Sequence, residues 1–594
     1  MKVADYIIDF FGKKGVKDIF EVYGAANGDL IDAFTRVDNT RYIAVMHEQA
    51  GGFAAEGYAK IKGKPAVAIA TSGPGGQNFV TPMGNCFYDS VPVIFLTGQV
   101  DSRFLRPDPS LRQRGFQETD IVGISKPVTK YSKLVLDPDS IKYELEKSWF
   151  ISQEGRAGPV LLDLPIDVQK AEVNPNDLVG FDSKTYETTY NLKTVDKQIE
   201  NYIEDLSKAK RPVILVGAGV RHSKGIENLL ELGDKLKIPM FPTWNALDIV
   251  TSDYEHYGGR IGTYGGSGRN FGLQNSDLVL ALGSRISGRL YGSNTKSFLR
   301  EAKKYVVDID NNNLQRRLQE IPFDENIFCD AKVFIERLND ALLLEPERNF
   351  SDWREKVIGW RDKYNPVRPE FFNSNDFANP YVFFNILSKE MKSGDILVGD
   401  CGGNIVLASQ AFETKKGQRF ITNNGNSPMG FSFAGAMGAY LASDKNNKVV
   451  CTIGDGGFNM NIQELQTVKN YDLNFKTFII NNGIYGITKA FQEKKFEGRS
   501  EACGPKGYNP PNLMKVCKAY DFTTVSINGN DMENMSNKVR EVLDFEGPIV
   551  CEVNCPDWHL YEPTVYGAVP IEDMHPQLPR EEFESNMIIK PWKK

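Results

Sequence analysis

Short apolar runs recur along the chain and alternate with segments of helical period. In the first third the runs fall at Asp18–Val22, Tyr42–Val45, Ala66–Thr71 and Val91–Thr97. Helical patterns at Gly28–Thr35, Gln49–Lys60 and Asn78–Asp89 lie between them. Runs this short predict buried strands, and strand–helix alternation predicts a parallel sheet covered on both faces. Pro212–Val216, Leu278–Gly283, Val306–Ile309 and Ile396–Val398 continue the pattern. Val449–Ile453 ends at Gly454-Asp455-Gly456, which reads as a buried strand with a turn at its carboxyl end. Ile462, Leu465, Gln466 and Val468 then predict a helix, and Phe475–Ile480 a second strand that stops at Asn481-Asn482. Strand, helix and strand with short joins predict a right-handed βαβ unit. Its strands are parallel neighbours, so Asp455 and Asn482 leave the sheet at its carboxyl edge, where open α/β sheets bind ligands.

The alternation breaks twice. Residues 172–189 are polar and aperiodic, and residues 346–375 are charged and contain proline, so both read as linkers. The expected fold is three doubly wound parallel-sheet α/β domains, 1–171, 191–345 and 376–565, with an ordered carboxyl-terminal arm at 566–594. The amino terminus carries Asp5 and Asp9 among its apolar residues, which predicts an amphipathic helix and not a signal peptide. Hydrophobic residues are 41% and charged residues 25%, the balance of a globular protein with an ample core. A net charge of −7 without a Lys/Arg block argues against nucleic acid, and no apolar run suits a membrane span. The eight cysteines are scattered without CxxC spacing, as expected of free thiols in a cytoplasmic protein. Five histidines are too few for chemistry built on several imidazoles.

The chemistry-bearing residues gather at the βαβ unit. Asp455 and the amide oxygen of Asn482 are hard donors suited to Mg²⁺. Gly456 and Gly457 let backbone N–H groups approach a phosphate. The natural guest is a magnesium diphosphate; the plain alternative is a Gly-rich turn followed by an Asn-rich one. GDG, then residues 457–480, then Asn481-Asn482 resembles the diphosphate motif of thiamine-diphosphate enzymes in type, order and spacing. In the first domain HEQAGGFAAEGYAK, TSGPGGQNFV, YDSVPVIFLTGQV, GFQETDIVGISKPVTK and GRAGPVLLDLPIDVQ occur in one order. Together they resemble the pyrimidine-binding domain of acetohydroxyacid synthases, and the resemblance extends over about residues 1–560.

The resemblance implies roles. Glu48 would hydrogen-bond the aminopyrimidine of thiamine diphosphate and favour the imino tautomer that takes the thiazolium proton; otherwise it is an acid favouring a helix dipole. Phe116 and Gln117 match the Phe-Gln pair beside the reacting carbon. Gly24, Asn426, Gly454, Gly456, Gly457, Tyr485 and Gly486 would contact the cofactor, and the backbone carbonyl of Ile484 would complete the metal set. Gly403-Asn404 stand where the family has Gln-His, and Met429 aligns with the bulky residue under the cofactor's bend. In the central domain Gly217, Gly219, Gly262-Thr263-Tyr264-Gly265, the pair Arg285 and Arg289, and Asp308 with Asp310 resemble FAD-binding segments; a domain that keeps the shape without flavin is the alternative. Such a flavin would be structural, because carboligation involves no net redox change.

The activity implied is decarboxylation of pyruvate and transfer of the two-carbon hydroxyethyl/acetyl unit to a second carbonyl compound, in a homodimer or homotetramer with sites between subunits. The His-His pair of simple 2-keto-acid decarboxylases is missing, which favours carbon–carbon bond formation. Ile166 replaces the family's Lys in PKDVQ and Phe491 its Trp. These departures leave a nucleotide-linked ketosugar acceptor open. A pyruvate oxidase-type flavoenzyme and a non-catalytic homologue are the readings from other classes.

Overall fold

The structure, a computed structural model, describes residues 1–266, 268–373 and 376–592, with the backbone alone at 317 and 318. The first sheet contains β1 (Asp18–Glu21), β2 (Arg41–Ala44), β3 (Ala66–Ala70), β4 (Val93–Gln99), β5 (Tyr131–Leu134) and β6 (Val160–Pro165). The second contains β7 (Pro212–Val216), β8 (Met240–Pro242), β9 (Leu278–Leu282), β10 (Lys303–Asp308) and β11 (Glu325–Phe328). The third contains β12 (Ile396–Gly399), β13 (Arg419–Ile421), β14 (Val449–Gly454), β15 (Lys476–Asn481), β16 (Thr523–Ile527) and β17 (Ile549–Asn554). Every pairing is parallel. The inner strands are buried along their whole length, which is why they read as continuous apolar runs.

The spatial orders are β2-β1-β3-β4-β6-β5, β8-β7-β9-β10-β11 and β13-β12-β14-β15-β17-β16. Counted within each sheet, all three begin 2-1-3-4. Each order reverses between its first and third strands, and ligand crevices open beyond the carboxyl ends at such a switch point. The turns after β12 and β14 flank that point in the third sheet.

β14 and β15 are parallel neighbours, in register from Val450↔Lys476 to Gly454↔Ile480, as expected of a βαβ unit. The chain does not turn loosely at 454–456, however. Gly454 is extended, and a helix, Asp455–Met460, starts at once. Asp455 in its first turn suits the positive end of the helix dipole.

Two expected linkers are more ordered than their composition implies. Residues 346–375 contain a helix, Ser351–Lys363, with Trp353, Val357 and Trp360 buried on one face. Trp353 Nε1 donates to Pro212 O at 3.1 Å, which fastens the segment to β7. Eight charged or polar residues around a narrow three-residue stripe hid the helix. In 172–189, Leu178 is buried and the Phe181 ring lies against Tyr143, Phe150 and Tyr186. The described part of the arm, 566–592, lies on the central unit and on the Ser351–Lys363 helix: Asn270 Nδ2 donates to Ile571 O at 2.7 Å, and Trp360 Nε1 donates to Asn586 Oδ1 at 2.8 Å.

The first and third sheets share one core through two helices, Glu48–Lys62 and Phe431–Ala442. A Cβ on Gly57 would lie 2.1 Å from Gly435 O, and one on Gly438 would lie 1.8 Å from Ala54 O. The small residues of HEQAGGFAAEGYAK therefore serve a backbone-to-backbone crossing. Among the described residues no helix is long and apolar enough to cross a membrane.

Candidate active site

Asp455 stands at the carboxyl end of β14 and is 1% exposed. Burial pushes its carboxyl up to about 6. Tyr508 donates its hydroxyl to Asp455 Oδ2 at 2.9 Å, and the Tyr508 ring stacks on Tyr485 at 4.0 Å. Asn482, one residue beyond β15, donates Nδ2 to Trp558 O at 2.8 Å, which fixes its amide. Its Oδ1 accepts from Ile484 N at 3.3 Å, so Asp455, Asn482 and Ile484 lie within one short arc of the sheet edge. Among the described residues no group of three His, Cys, Asp or Glu could hold a metal. The set fits Mg²⁺ differently, as one carboxylate, one amide oxygen and a backbone carbonyl, with ligand oxygens filling the remaining positions.

The phosphate side fits as well. A Cβ on Gly454 or Gly483 would meet nothing within 4 Å, so the edge is open there. Met429 Cε lies 3.0 Å from the place of a Gly456 Cβ, which sets Met429 directly over the glycine turn. Asn404 Oδ1 accepts from Asp400 N at 3.2 Å, while its Nδ2 is buried without a partner. A buried amide donor left unpaired costs free energy, and a diphosphate oxygen would relieve it. The departure at Gly403 has a local cause. The Tyr561 hydroxyl would be 2.2 Å from a Cβ at Gly403 and 2.4 Å from one at Gly486. Tyr561 thus fills the space in which a larger residue at 403 would stand.

Asp400, which the sequence reading passed over, holds this edge together. It is buried, with its carboxyl raised to about 6 by desolvation. It accepts from Gly430 N at 3.2 Å and Ser432 N at 3.0 Å, and its Oδ2 would be 2.1 Å from a Cβ on Gly457. One carboxylate therefore ties the Met429 segment to the Gly456-Gly457 turn. Its signal was the strand-end position in Gly399-Asp400-Cys401.

In the first unit Glu48 is the first residue of its helix. It is not the cap: His47 Nδ1 accepts from Gln49 N at 3.1 Å and does that work. Glu48 Oε2 accepts from Asn78 Nδ2 at 2.9 Å, and Oε1 lies 3.3 Å from the place of a Gly75 Cβ. Thr71, Gly75 and Asn78 of TSGPGGQNFV thus lie about the carboxylate. Gly24 belongs to the same edge, since its missing Cβ would meet Thr71 at 2.5 Å. Gln117 has φ 62° and lies against Gly73, 3.1 Å from Gln117 Cβ to the place of a Gly73 Cβ. A left-handed backbone costs a non-glycine residue about 1–2 kcal/mol. Phe116 is 87% exposed, so plain core packing does not explain it.

Asn426, an expected cofactor contact, also has a partner within the chain. Asn426 Nδ2 donates to Asn85 Oδ1 at 2.8 Å. It belongs to a buried network in which Glu56 pairs with Lys60 at 2.6 Å and accepts from Asn423 Nδ2 at 2.9 Å. Glu464, another buried acid, is raised to about 6 by desolvation and accepts from Met46 N at 3.2 Å, two residues before Glu48.

In the central unit two of the expected glycines pack against a third. The Cβ positions of Gly217 and Gly219 are filled by Gly283, at 2.1 Å from its O and 2.7 Å from its Cα. These glycines serve the packing of two turns. Asp308 accepts from Asn313 Nδ2 at 2.7 Å. Asp310 pairs with Arg156 at 2.9 Å and caps the Asn311–Gln315 helix. Arg289, Thr263 and Tyr264 do come together: Thr263 N donates to Arg289 O at 2.8 Å, and the Arg289 guanidinium lies 5.2 Å over Trp244, which also meets Tyr264. Gly262 lies against Arg289 O and Gly265 against Asn270. Arg285 lies on the loop after β9 and Arg289 in the short helix Gly288–Tyr291, and arginines there suit dinucleotide phosphates.

Comparison with known proteins places these edges in a family. Models of thiamine pyrophosphate enzymes match in three parts: the N-terminal TPP binding domain over residues 1–124, the central domain over 199–338 and the C-terminal TPP binding domain over 400–553. Acetolactate synthase 2 of Nicotiana tabacum, a chloroplastic protein, is 30% identical over 93% of this chain and 82% of its own. The acetolactate synthase large subunit of Lactococcus lactis is 30% identical over 93% of this chain and 92% of its own. That of Haemophilus influenzae is 28% identical over 98% and 99%.

Proposed function

This chain belongs to the thiamine pyrophosphate enzymes, in their acetolactate synthase branch, and on that footing we propose how its residues work. It is a carboligase that decarboxylates pyruvate and joins the two-carbon unit to a second carbonyl compound. Bound thiamine diphosphate supplies the carbon nucleophile and accepts the electron pair left by CO₂. Asp455, Asn482 and Ile484 O hold Mg²⁺, while Gly456, Gly457 and Asn404 Nδ2 bind phosphate oxygens and Met429 supports the bend. Glu48 would face the far edge of the pyrimidine and hold a proton there, while Asn78 Nδ2 donates to its Oε2. Phe116 and Gln117 border the reacting centre.

The observation that carries this reading is Asp455 beside Asn482 on neighbouring strand ends, over an open glycine edge. Asp455→Ala should abolish thiamine diphosphate binding by calorimetry with the circular dichroism unchanged; wild-type affinity would overturn the assignment. Product analysis by mass spectrometry, with pyruvate alone and then with 2-ketobutyrate or a nucleotide-linked ketosugar, identifies the acceptor. Acetolactate from pyruvate alone is expected. The ketosugar reading draws on Ile166, uncharged at the carboxyl end of β6, and Phe491, 59% exposed on the Gly486–Lys495 helix.

FAD is the proposed occupant of the Arg285, Arg289 and Gly262–Gly265 loops, as a structural group. Saturation with FAD should leave flavin absorbance on the desalted protein, and colourless protein would overturn this. A homodimer or homotetramer is supported by the exposure of Phe116 and of Tyr23 beside Gly24; light scattering at a single-chain mass would refute it. A reducing cytoplasm is the proposed location, supported by eight free cysteines, seven of them buried.

A further inference from the structure

One carboxylate organises the loop that carries Phe116 and Gln117. Glu118 is 8% exposed. Its Oε1 accepts from Arg106 N at 2.7 Å, and its Oε2 accepts from Arg114 N at 2.7 Å and Gly115 N at 3.1 Å. Burial works against its charge, but these three N–H groups outweigh it and hold the carboxyl below its ordinary range. The backbone of Glu118 closes the same loop: its N–H donates to Gly115 O at 3.1 Å, and its carbonyl accepts from Gln113 Nε2 at 3.0 Å. At the loop's other end Asp167 accepts from Ser102 N at 2.9 Å and from the Ser102 hydroxyl. Past the short turn Ser102–Phe104, residues 105–117 have no helix or strand to hold them.

What this clamp maintains is unusual. Gln117 is held left-handed against Gly73, the residue that opens the helix lining the Glu48 pocket. Phe116 is held with its ring in the open. A left-handed non-glycine residue persists only where its surroundings over-determine it, and such residues gather at functional sites. Three charge-assisted bonds to consecutive parts of one loop are that over-determination.

We propose that Glu118 is a positioning residue for the reaction, acting through the loop to fix Phe116 and Gln117 at the reacting centre. This rests on the placement of those two residues given above. Glu118→Gln is the informative change. The amide retains one acceptor oxygen but turns the other into an NH₂ donor, which then faces one or two N–H donors of the loop.

The loop contains Arg103, Arg106, Arg112 and Arg114, so trypsin reports its order without any cofactor. In Glu118→Gln cleavage within 103–114 should be faster. Binding of Mg²⁺-thiamine diphosphate by calorimetry and thiazolium-proton exchange into D₂O should stay within about twofold of wild type, since neither uses the loop. The kcat for CO₂ release from pyruvate should fall about tenfold or more, with KM changed less than about threefold. Glu118→Asp, which keeps the charge, should recover part of the loss. Wild-type turnover in Glu118→Gln, while Phe116→Ala and Gln117→Ala are impaired, overturns the role of Glu118 alone. Parallel loss of cofactor affinity, proton exchange and turnover overturns it too, because a general fold defect would act that way. If Phe116→Ala and Gln117→Ala both turn over normally, the placement falls and the proposal with it.

Discussion

At the scale of single residues, the structure separates groups that finish a fold from groups that do not. Glu48 is relieved of helix capping by His47, and its carboxylate sits among Thr71, Gly75 and Asn78. Glu48→Gln should therefore leave the fold intact and lower turnover by about two orders of magnitude or more, as expected for a lost acid–base group. The direct measurement is thiazolium-proton exchange into D₂O, which should slow in step. Glu21 makes a contrasting case. It is 3% exposed, its Oε2 is buried without a partner, and burial raises its carboxyl to about 7. The unfolded chain releases this proton near pH 4.5, the ordinary value, while the folded chain keeps it to about 7. In that window the folded state binds more protons, so stability falls as pH rises and then levels off. Glu21→Gln should remove this decline, with a gain in Tm on the order of a few degrees at pH 8 and little change at pH 4. Thermal melts at the two pH values read it.

At the scale of elements, alternation of short apolar runs with helical periods located ten of the seventeen strands, some in each sheet, to within a few residues, because strands buried on both faces must be apolar throughout. Helices outlined by narrow stripes were harder. Trp353, Val357 and Trp360 cover one face of Ser351–Lys363, but seven of the other ten positions carry charges, and composition outweighed periodicity there. The small residues of the Glu48–Lys62 helix announced a close neighbour without naming it; the neighbour is the Phe431–Ala442 helix. Its Gly438 tolerates no Cβ, since one would lie 1.8 Å from Ala54 O. Gly438→Val must separate two backbones that share a core, at a cost of about 3 kcal/mol or more. It should show as a large fall in Tm or as insoluble protein, and an unchanged melt would refute the crossing.

At the scale of the whole molecule, the three units are tied by buried charge. Asp248, 2% exposed on its side chain, lies after β8 and receives Arg221 NH2 at 2.9 Å and Arg419 Nε at 2.7 Å. Arg419 opens β13, so one carboxylate joins the central and third units. Removing it leaves two partly buried guanidinium groups facing each other, which typically costs about 3–5 kcal/mol. Asp248→Ala should lower Tm and speed proteolysis between the central and third units, while the isolated chemistry of Glu48 and Asp455 stays intact. The Glu56–Lys60–Asn423 network does the same between the first and third units, and Asn426 meets its edge through Asn85.

The sequence by itself determined what depends on local order. Strand ends follow from runs of apolar residues, and the carboxyl-edge position of Asp455 and Asn482 follows from the handedness of a βαβ unit. The family resemblance added Glu48, Met429 and the acetolactate synthase-type reaction. Tertiary structure alone decided what depends on residues far apart in the chain. Gly403 is a glycine because Tyr561, more than 150 residues on, fills its space. A Cβ on Gly217 or Gly219 would meet Gly283, more than 60 residues on. Asp310 pairs with Arg156, 154 positions earlier in the chain. Apolar period is written in neighbours along the chain. Steric exclusion and the pairing of buried charge are set only where distant segments meet.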